Sequence, residues 1–143
     1  MDFKPLVSVV MPAYNASKTI LGSIESVLSQ SFKSLELIVV DDCSNEDLER
    51  LLKPTLSSDS RLRFVRLERN YGAAFARNIA IELAVGRYIA FLDSDDLWFP
   101  NKIETQISFM CENDVAFSYS AYEKIDENGK TFGVMGVSER ISY

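Results

Sequence analysis

Short apolar runs alternate along this chain with stretches of helical spacing, and few folds can accommodate that rhythm. Leu6-Val-Ser-Val-Val-Met11 is apolar enough for a strand buried on both faces, and it is expected to stop at Pro12. Ser17 is a candidate N-cap for a helix whose Ile20, Leu21, Ile24, Val27 and Leu28 recur at helical intervals. Leu35–Val40 is a second buried strand, closed by Asp41 and Asp42. Ser44 and Asp47 resemble a capping box, predicting a short helix that ends near Pro54. A third strand is expected over Leu62–Leu67, then an alanine-rich helix from Ala73 to Val85 with Gly86 as its C-terminal stop. The fourth strand, in Arg87–Asp96, ends in three carboxylates. Pro100 precedes a helix with Ile103, Ile107 and Met110 on one face, Val115–Ile125 alternates like a half-exposed strand, and Asn128-Gly129 signals a hairpin. Strands alternating with helices imply an α/β fold with a mostly parallel sheet flanked by crossover helices.

Such sheets bind ligands beyond the carboxyl ends of their strands, where the strand order reverses. Three segments place polar chemistry at those ends: Pro12-Ala-Tyr-Asn15, Asp41-Asp42 and Asp93-Ser-Asp-Asp96. Asp93 and Asp95 can converge on a hard divalent cation that takes further ligands from a phosphate. An Asx turn capping the next helix would use the same residues, because Asp hydrogen-bonds its own backbone in turns. Three polar termini on one rim favour a functional site.

Composition removes whole classes of chemistry. The chain has 143 residues, enough for one domain with a real core. Its net charge of -6, without a basic run, speaks against nucleic-acid binding. With no histidine there is no Ser-His-Asp triad and no His-ligated zinc. Cys43 and Cys111 lie far apart, without metal-ligand spacing, as expected of thiols in a reducing compartment. Neither a leader nor a membrane-spanning run is visible, so the chain is expected in the cytoplasm, with peripheral attachment to the inner membrane left open.

Rival α/β chemistries fail on particular residues. A dinucleotide fold needs a glycine-rich turn after its first strand, and Met11-Pro-Ala-Tyr-Asn15 has no glycine. No P-loop is present. An aspartyl-phosphate phosphatase would carry its paired acids after the first strand. A receiver domain would need an acceptor after the third, where Leu67-Glu-Arg-Asn70 offers none.

Four segments together resemble family 2 glycosyltransferases of the GT-A fold: Val7–Asn15, Glu36–Ser44, Asn70–Asn78 and Phe91–Asp96. Their order and spacing match, and the resemblance runs from about Val7 to about Gly129. Tyr119–Gly129 is also similar to bacterial members that build surface polysaccharides. The resemblance implies an inverting transfer of a sugar from a nucleotide diphosphate, often UDP, to the hydroxyl of a glycan or lipid-linked glycan. It implies that Pro12, Ala13 and Tyr14 frame the nucleotide, with Tyr14 against the base. Asp42 would accept the imide N–H of a uracil. The Gly72 turn and Arg77 would close over the nucleotide, Asp93 and Ser94 would face the ribose and metal region, and Asp93 and Asp95 would hold Mg²⁺ or Mn²⁺.

Plainer roles stand beside these. Tyr14 can be a packed aromatic, Arg77 the partner of a surface acid and Asp96 a turn cap, while Asp41 suits a structural turn. Trp98 and Phe99 can line a sugar pocket or belong to the core. Cys43 shows no sign of being a nucleophile. Family members normally run well beyond this length and take their catalytic carboxylate from the second half. Residues 1–143 are therefore expected to be a single but incomplete donor-binding domain, with the base beyond Tyr143. Asp114, Glu123 and Asp126 are not promoted to that role. A sheet cut at its acceptor side is expected to leave an apolar face through which the chain self-associates. The alternative is a non-catalytic half-domain that binds a nucleotide-sugar or a partner chain.

Overall fold

The computed structural model describes residues 4–137. They fall into two compact units, one running to Ile103 and the other starting at Glu104. In the first unit, strands β1 (Val7–Ala13), β2 (Leu35–Asp41), β3 (Leu62–Arg66) and β4 (Tyr88–Phe91) alternate with helices α1 (Ile20–Leu28), α2 (Leu48–Ser58) and α3 (Ala73–Leu83). All strand pairs are parallel, in the order β3-β2-β1-β4. The chain moves outward from β1 to β3 and then crosses back to place β4 on the other side of β1. That reversal opens a crevice between the carboxyl ends of β1 and β4.

β1 and β2 are buried at every position, which is why their sequences are continuous apolar runs rather than alternating ones. Successive side chains point to opposite faces. Val10, Ile38 and Val40 pack with Ala76 and Ala80 of α3, and the small alanines let that helix approach the sheet closely. At the amino ends of the strands, Ser8 donates to Glu36 at 2.6 Å, and Glu36 pairs with Arg63 at 3.1 Å. Glu36 also accepts from the N–H of Val85, and Ser8 from that of Gly86. A buried carboxylate is thus fully partnered and ties β4 to the sheet.

Several boundaries differ from those expected. β1 does not stop at Pro12 but runs on to Ala13. Val10 accepts from Leu92 on the β4 side, so Pro12, two residues on, turns its nitrogen the same way, past the last β1–β4 pair. Its missing N–H therefore breaks no ladder bond. α1 starts after Thr19, not Ser17: residues 16–19 form a turn of their own, in which the N–H groups of Thr19 and Ile20 both donate to the Ala16 carbonyl. Asp47 is itself the N-cap of α2, accepting from Arg50 N–H, and the helix continues through Pro54 to Ser58. The proline removes the bond to the Arg50 carbonyl, at an exposed residue where water can replace it. α3 ends at Leu83, and Gly86 is not its left-handed stop. Gly86 is needed because a Cβ there would lie 2.6 Å from the Ser8 nitrogen. β4 is no fully buried strand: its positions alternate between half-buried and exposed, with Phe91 54% exposed, and among the described residues it pairs only with β1.

The second unit contains most of α4 (Lys102–Asn113) and an antiparallel hairpin, β5 (Tyr122–Ile125) with β6 (Thr131–Met135). Only the end of the expected Val115–Ile125 strand forms. The turn is where Asn128-Gly129 predicts it, with Gly129 at φ 78° and Asp126 accepting from Asn128 and Lys130. Glu123 accepts from Thr131, so Asp126 and Glu123 both serve the hairpin.

Candidate functional site

The loops after β1, β2 and β4 and the first turns of α3 enclose a cleft of about 460 Å³, a size ordinary for a small-molecule site. Pro12, Ala13 and Tyr14 form its β1 wall, Asp42 its floor after β2, Arg77 its α3 side and Asp93, Ser94 and Asp95 its β4 rim. These eight residues, separated by as many as 83 positions in the chain, are brought together. Tyr14 is 49% exposed and is not a packed core aromatic. Gly72 does not line the cleft. It sits behind it as the N-cap of α3 with φ 93°, a left-handed conformation that glycine adopts without strain.

Asp42 explains that placement. One carboxylate oxygen accepts from Tyr71 N–H at 2.8 Å and the other from Gly72 N–H at 2.7 Å. The acid is buried in the floor and clamps the turn that launches α3. Each oxygen keeps a second lone pair that can serve a ligand. Asp41, its neighbour, points away from ligand chemistry. Fully buried, it accepts from the Ser44 N–H and hydroxyl on one oxygen and from Arg66 on the other. That is the structural role expected of it.

On the β4 rim, Arg77 Nη2 lies 2.5 Å from Asp93 Oδ1, so the acid that Arg77 pairs with is itself part of the cleft. The Asp96 N–H donates to the Asp93 carbonyl, folding the acids into a tight turn. Burial raises the Asp96 carboxyl above the usual carboxylate range, and the charges of Asp95 and Asp93 raise it further. Negative charge is therefore in surplus at this rim. Trp98 and Phe99 are not among the cleft residues. Trp98 N–H donates to Ser26, the Phe99 carbonyl accepts from Gln30, and the Phe99 ring is 65% exposed, outside pocket and core alike. Burial lowers the Lys102 amine to about 8, while its Nζ sits 3.9 Å from the Trp98 ring centre, a contact that favours the charged form.

Asn15, Ala16, Lys18, Thr19 and Ala73 also line the cleft; Asn15 falls in the segment expected at this rim but was given no role, and the others were not anticipated as site residues. A further signal for Asn15 lay in its type, since Asn is among the non-glycine residues that best tolerate the left-handed region it occupies at φ 50°. Lys18 and Thr19 had only their position in the loop after β1 to mark them.

The parallel sheet with its cleft at the switch point matches the GT-A class of glycosyltransferase fold, as the likeness to solved structures below shows. The chain belongs to the glycosyl transferase family 2, whose family model matches residues 8–140. TuaG of Bacillus subtilis, a glycosyltransferase assigned to teichuronic acid biosynthesis, is 48% identical over 128 residues, covering 90% of this chain and 51% of its own. The Escherichia coli UDP-Glc:alpha-D-GlcNAc-diphosphoundecaprenol beta-1,3-glucosyltransferase WfgD is 46% identical over 138 residues, covering 96% and 53%. Among solved structures, Staphylococcus aureus TarS 1-349 in complex with UDP superposes with a TM-score of 0.70 at 31% identity, over 76% of this chain and 32% of that one. TarS has also been solved in complex with UDP-GlcNAc. The chain spans about half the length of the curated relatives it matches. Among the described residues no helix is long and apolar enough to cross a membrane.

Proposed function

We propose that this chain is the donor-binding part of an inverting glycosyltransferase that takes a sugar from UDP. The acceptor is the hydroxyl of a glycan or lipid-linked glycan, at the cytoplasmic face of the membrane, in the assembly of a surface polysaccharide. The observation that carries the proposal is the convergence of Tyr14, Asp42, Arg77, Asp93, Ser94 and Asp95 on one cleft at the switch point of the sheet. Tyr14 offers an exposed ring for a base, and Asp42 an acceptor for an imide N–H, which uracil has. Arg77 offers a cation for the phosphates. WfgD, by its name, acts on a lipid-linked GlcNAc, which supports the choice of acceptor class.

The rim fits a divalent cation. Asp93 and Asp95 are exposed hard oxygen donors one residue apart on the cleft rim. Among the described residues no three potential ligands cluster closely enough to hold a metal by themselves. Mg²⁺ or Mn²⁺ would accordingly complete its shell with phosphate oxygens and water, and when bound would stabilise charge on the departing diphosphate. The chain's own residues orient the donor: Asp42 and Tyr14 fix the nucleoside, and Arg77 draws the phosphates toward Asp93. An inverting displacement also needs a base to deprotonate the acceptor, and none of the cleft acids is given that role here.

The test is calorimetric titration of UDP with Mn²⁺ and then with a chelator, on the wild type and on Asp95→Asn. Binding that requires Mn²⁺ and is abolished by the substitution is the expected result. Equal binding with and without the cation would overturn the metal assignment, and no binding by the wild type would overturn the nucleotide.

A further inference from the structure

Six residues, Tyr14–Thr19, join β1 to α1 and supply much of the cleft wall. Tyr14, Asn15, Lys18 and Thr19 are exposed, so apolar burial does little to hold this loop. Hydrogen bonds to the loop after β2 hold it instead. Asn15 N–H donates to the Ser44 hydroxyl oxygen at 2.8 Å, Asn45 N–H to the Asn15 side-chain oxygen at 2.8 Å, and Ser17 N–H to Glu46 at 3.0 Å.

The direction of each bond is dictated by its partner. An ionised carboxylate only accepts, so Asp41, paired with Arg66, must take the Ser44 hydroxyl proton, over 2.5 Å. The hydroxyl lone pairs are then left for Asn15 N–H. Arg66 also donates to the Ser44 carbonyl at 2.7 Å, which fixes the serine backbone. Ser44 is 2% exposed, too buried for water to replace the hydroxyl easily. Asn15 is held in the left-handed region, at φ 50°, by bonds to both its backbone and its side chain. The residue before it is Tyr14.

We propose that the chain Arg66–Asp41–Ser44–Asn15 is a positioning relay that sets the β1 wall of the cleft, with Ser44 and Asn15 as specificity-determining positioning residues for the nucleoside. The proposal rests on the nucleotide assignment given above. Asp42, next in sequence to Asp41, holds the α3 side of the same cleft, so two adjacent acids place its two walls. The relay orders residues that touch the ligand without touching it itself, except at Asn15.

The experiment is UDP titration with Mn²⁺, at a temperature where every variant is folded, beside amide hydrogen exchange. Ser44→Ala is expected to weaken UDP binding about tenfold, the effect of one lost hydrogen bond on an equilibrium constant. Exchange at Asn15 and Ser17 should quicken, while the Asp42 N–H, bonded to the Ala13 carbonyl, keeps its protection. Ser44→Thr, which keeps the hydroxyl, should recover most of the affinity. Ser57→Ala on α2, whose hydroxyl bonds only its own helix at Lys53, should bind as the wild type does. A purely structural serine would lower the melting temperature and leave the affinity of the folded protein unchanged. A folded Ser44→Ala with wild-type UDP affinity therefore overturns the relay. If that variant does not fold, Asn15→Gly, which keeps the backbone freedom and loses the bond from Asn45, must show the same loss or the relay is overturned. A wild type that binds no UDP overturns the proposed function and the relay's role together; a relay failing alone leaves UDP bound normally.

Discussion

Asp42→Asn tests whether the floor of the cleft is a clamp as well as a contact surface. In the wild type the two carboxylate oxygens each accept one backbone N–H, from Tyr71 and Gly72. An asparagine can accept only one of them, and its amide then presents N–H groups to the other. The loss of one charge-assisted bond to a backbone donor is worth about 1.5–3 kcal/mol, and the part-buried donor left facing another donor adds about 1–3 kcal/mol. Water repairs the mismatch poorly on the acid's side, because Asp42 is only 2% exposed. The expected destabilisation is about 3–5 kcal/mol, a large share of the stability of a domain this size. For a chain of this length it corresponds to a fall in melting temperature of roughly 10–20 °C.

Urea denaturation followed through tryptophan fluorescence measures it directly, since the chain has a single tryptophan, Trp98. The folded baseline of Asp42→Asn should also show faster amide exchange at Tyr71 and Gly72, the two N–H groups released. Asp95→Asn is the internal contrast: Asp95 is exposed on the rim, so its loss should leave stability within about 0.5 kcal/mol of the wild type. An Asp42→Asn protein as stable as the wild type would refute the clamp, and with it the claim that Asp42 organises the start of α3.

Further outcomes follow from the same structure. Asp96 has its carboxyl raised by burial and by Asp95 and Asp93, so the folded state favours its protonated form. Its contribution to stability is full below the unfolded pKa and is lost as pH rises through the folded one; the stability difference between wild type and Asp96→Asn should therefore shift toward the variant over that rise, and a pH-independent difference would contradict the assignment. Lys102, lowered to about 8 by burial, has the opposite charge and the same sense of strain: the folded state disfavours its charged form, a cost present below pH 8 and relieved as pH rises toward the unfolded value. Because its Nζ lies over the only tryptophan, Trp98 emission should titrate near pH 8, and Lys102→Met should abolish the transition. Gly86→Ala should cost about 1–3 kcal/mol, since the new Cβ meets backbone of Val7 and Ser8, which cannot swing aside, as well as the Ser8 hydroxyl; chemical denaturation checks it. The unpaired side of β4, with Phe91 exposed, is expected to promote self-association, and sedimentation showing only monomer at high concentration would count against that.

How much of this was legible in the sequence depended on the range of the physics. The order of the elements followed from periodicity, because β1 and β2 are buried on both faces and had to be written as unbroken apolar runs. Boundaries slipped wherever a side chain was recruited from a distant loop. Ser17 has the chemistry of an N-cap, but it lies in a turn whose backbone is tied to the loop after β2 through Glu46, and no local pattern records that acid. Gly86 reads as a helix stop until Ser8 is known to lie against it. β4 reads as buried because it is apolar, whereas the exposure of Ile89 and Phe91 depends on what covers that face of the strand, which no local pattern records.

The site divided along the same line. Asp93 and Asp95 were visible because acids at the end of an apolar strand have no local justification, and their convergence with Asp42 followed from one rule about parallel sheets. What Asp42 does for Gly72, and what Ser44 does for Asn15, are contacts across 30 and 29 positions. No sequence interval encodes them; they exist because the parallel sheet sets the loop after β2 beside the loop after β1 and beside the start of α3. The catalytic apparatus of such a fold is therefore partly chosen by strand order: the topology decides which loops meet, and only then do residue types decide what the meeting can hold. That makes strand order the more consequential inference from sequence. Shifting a helix boundary by two residues leaves the cleft intact, whereas placing β4 beside β3 instead of β1 would put Asp93 at the far edge of the sheet from Tyr14 and dissolve the site altogether.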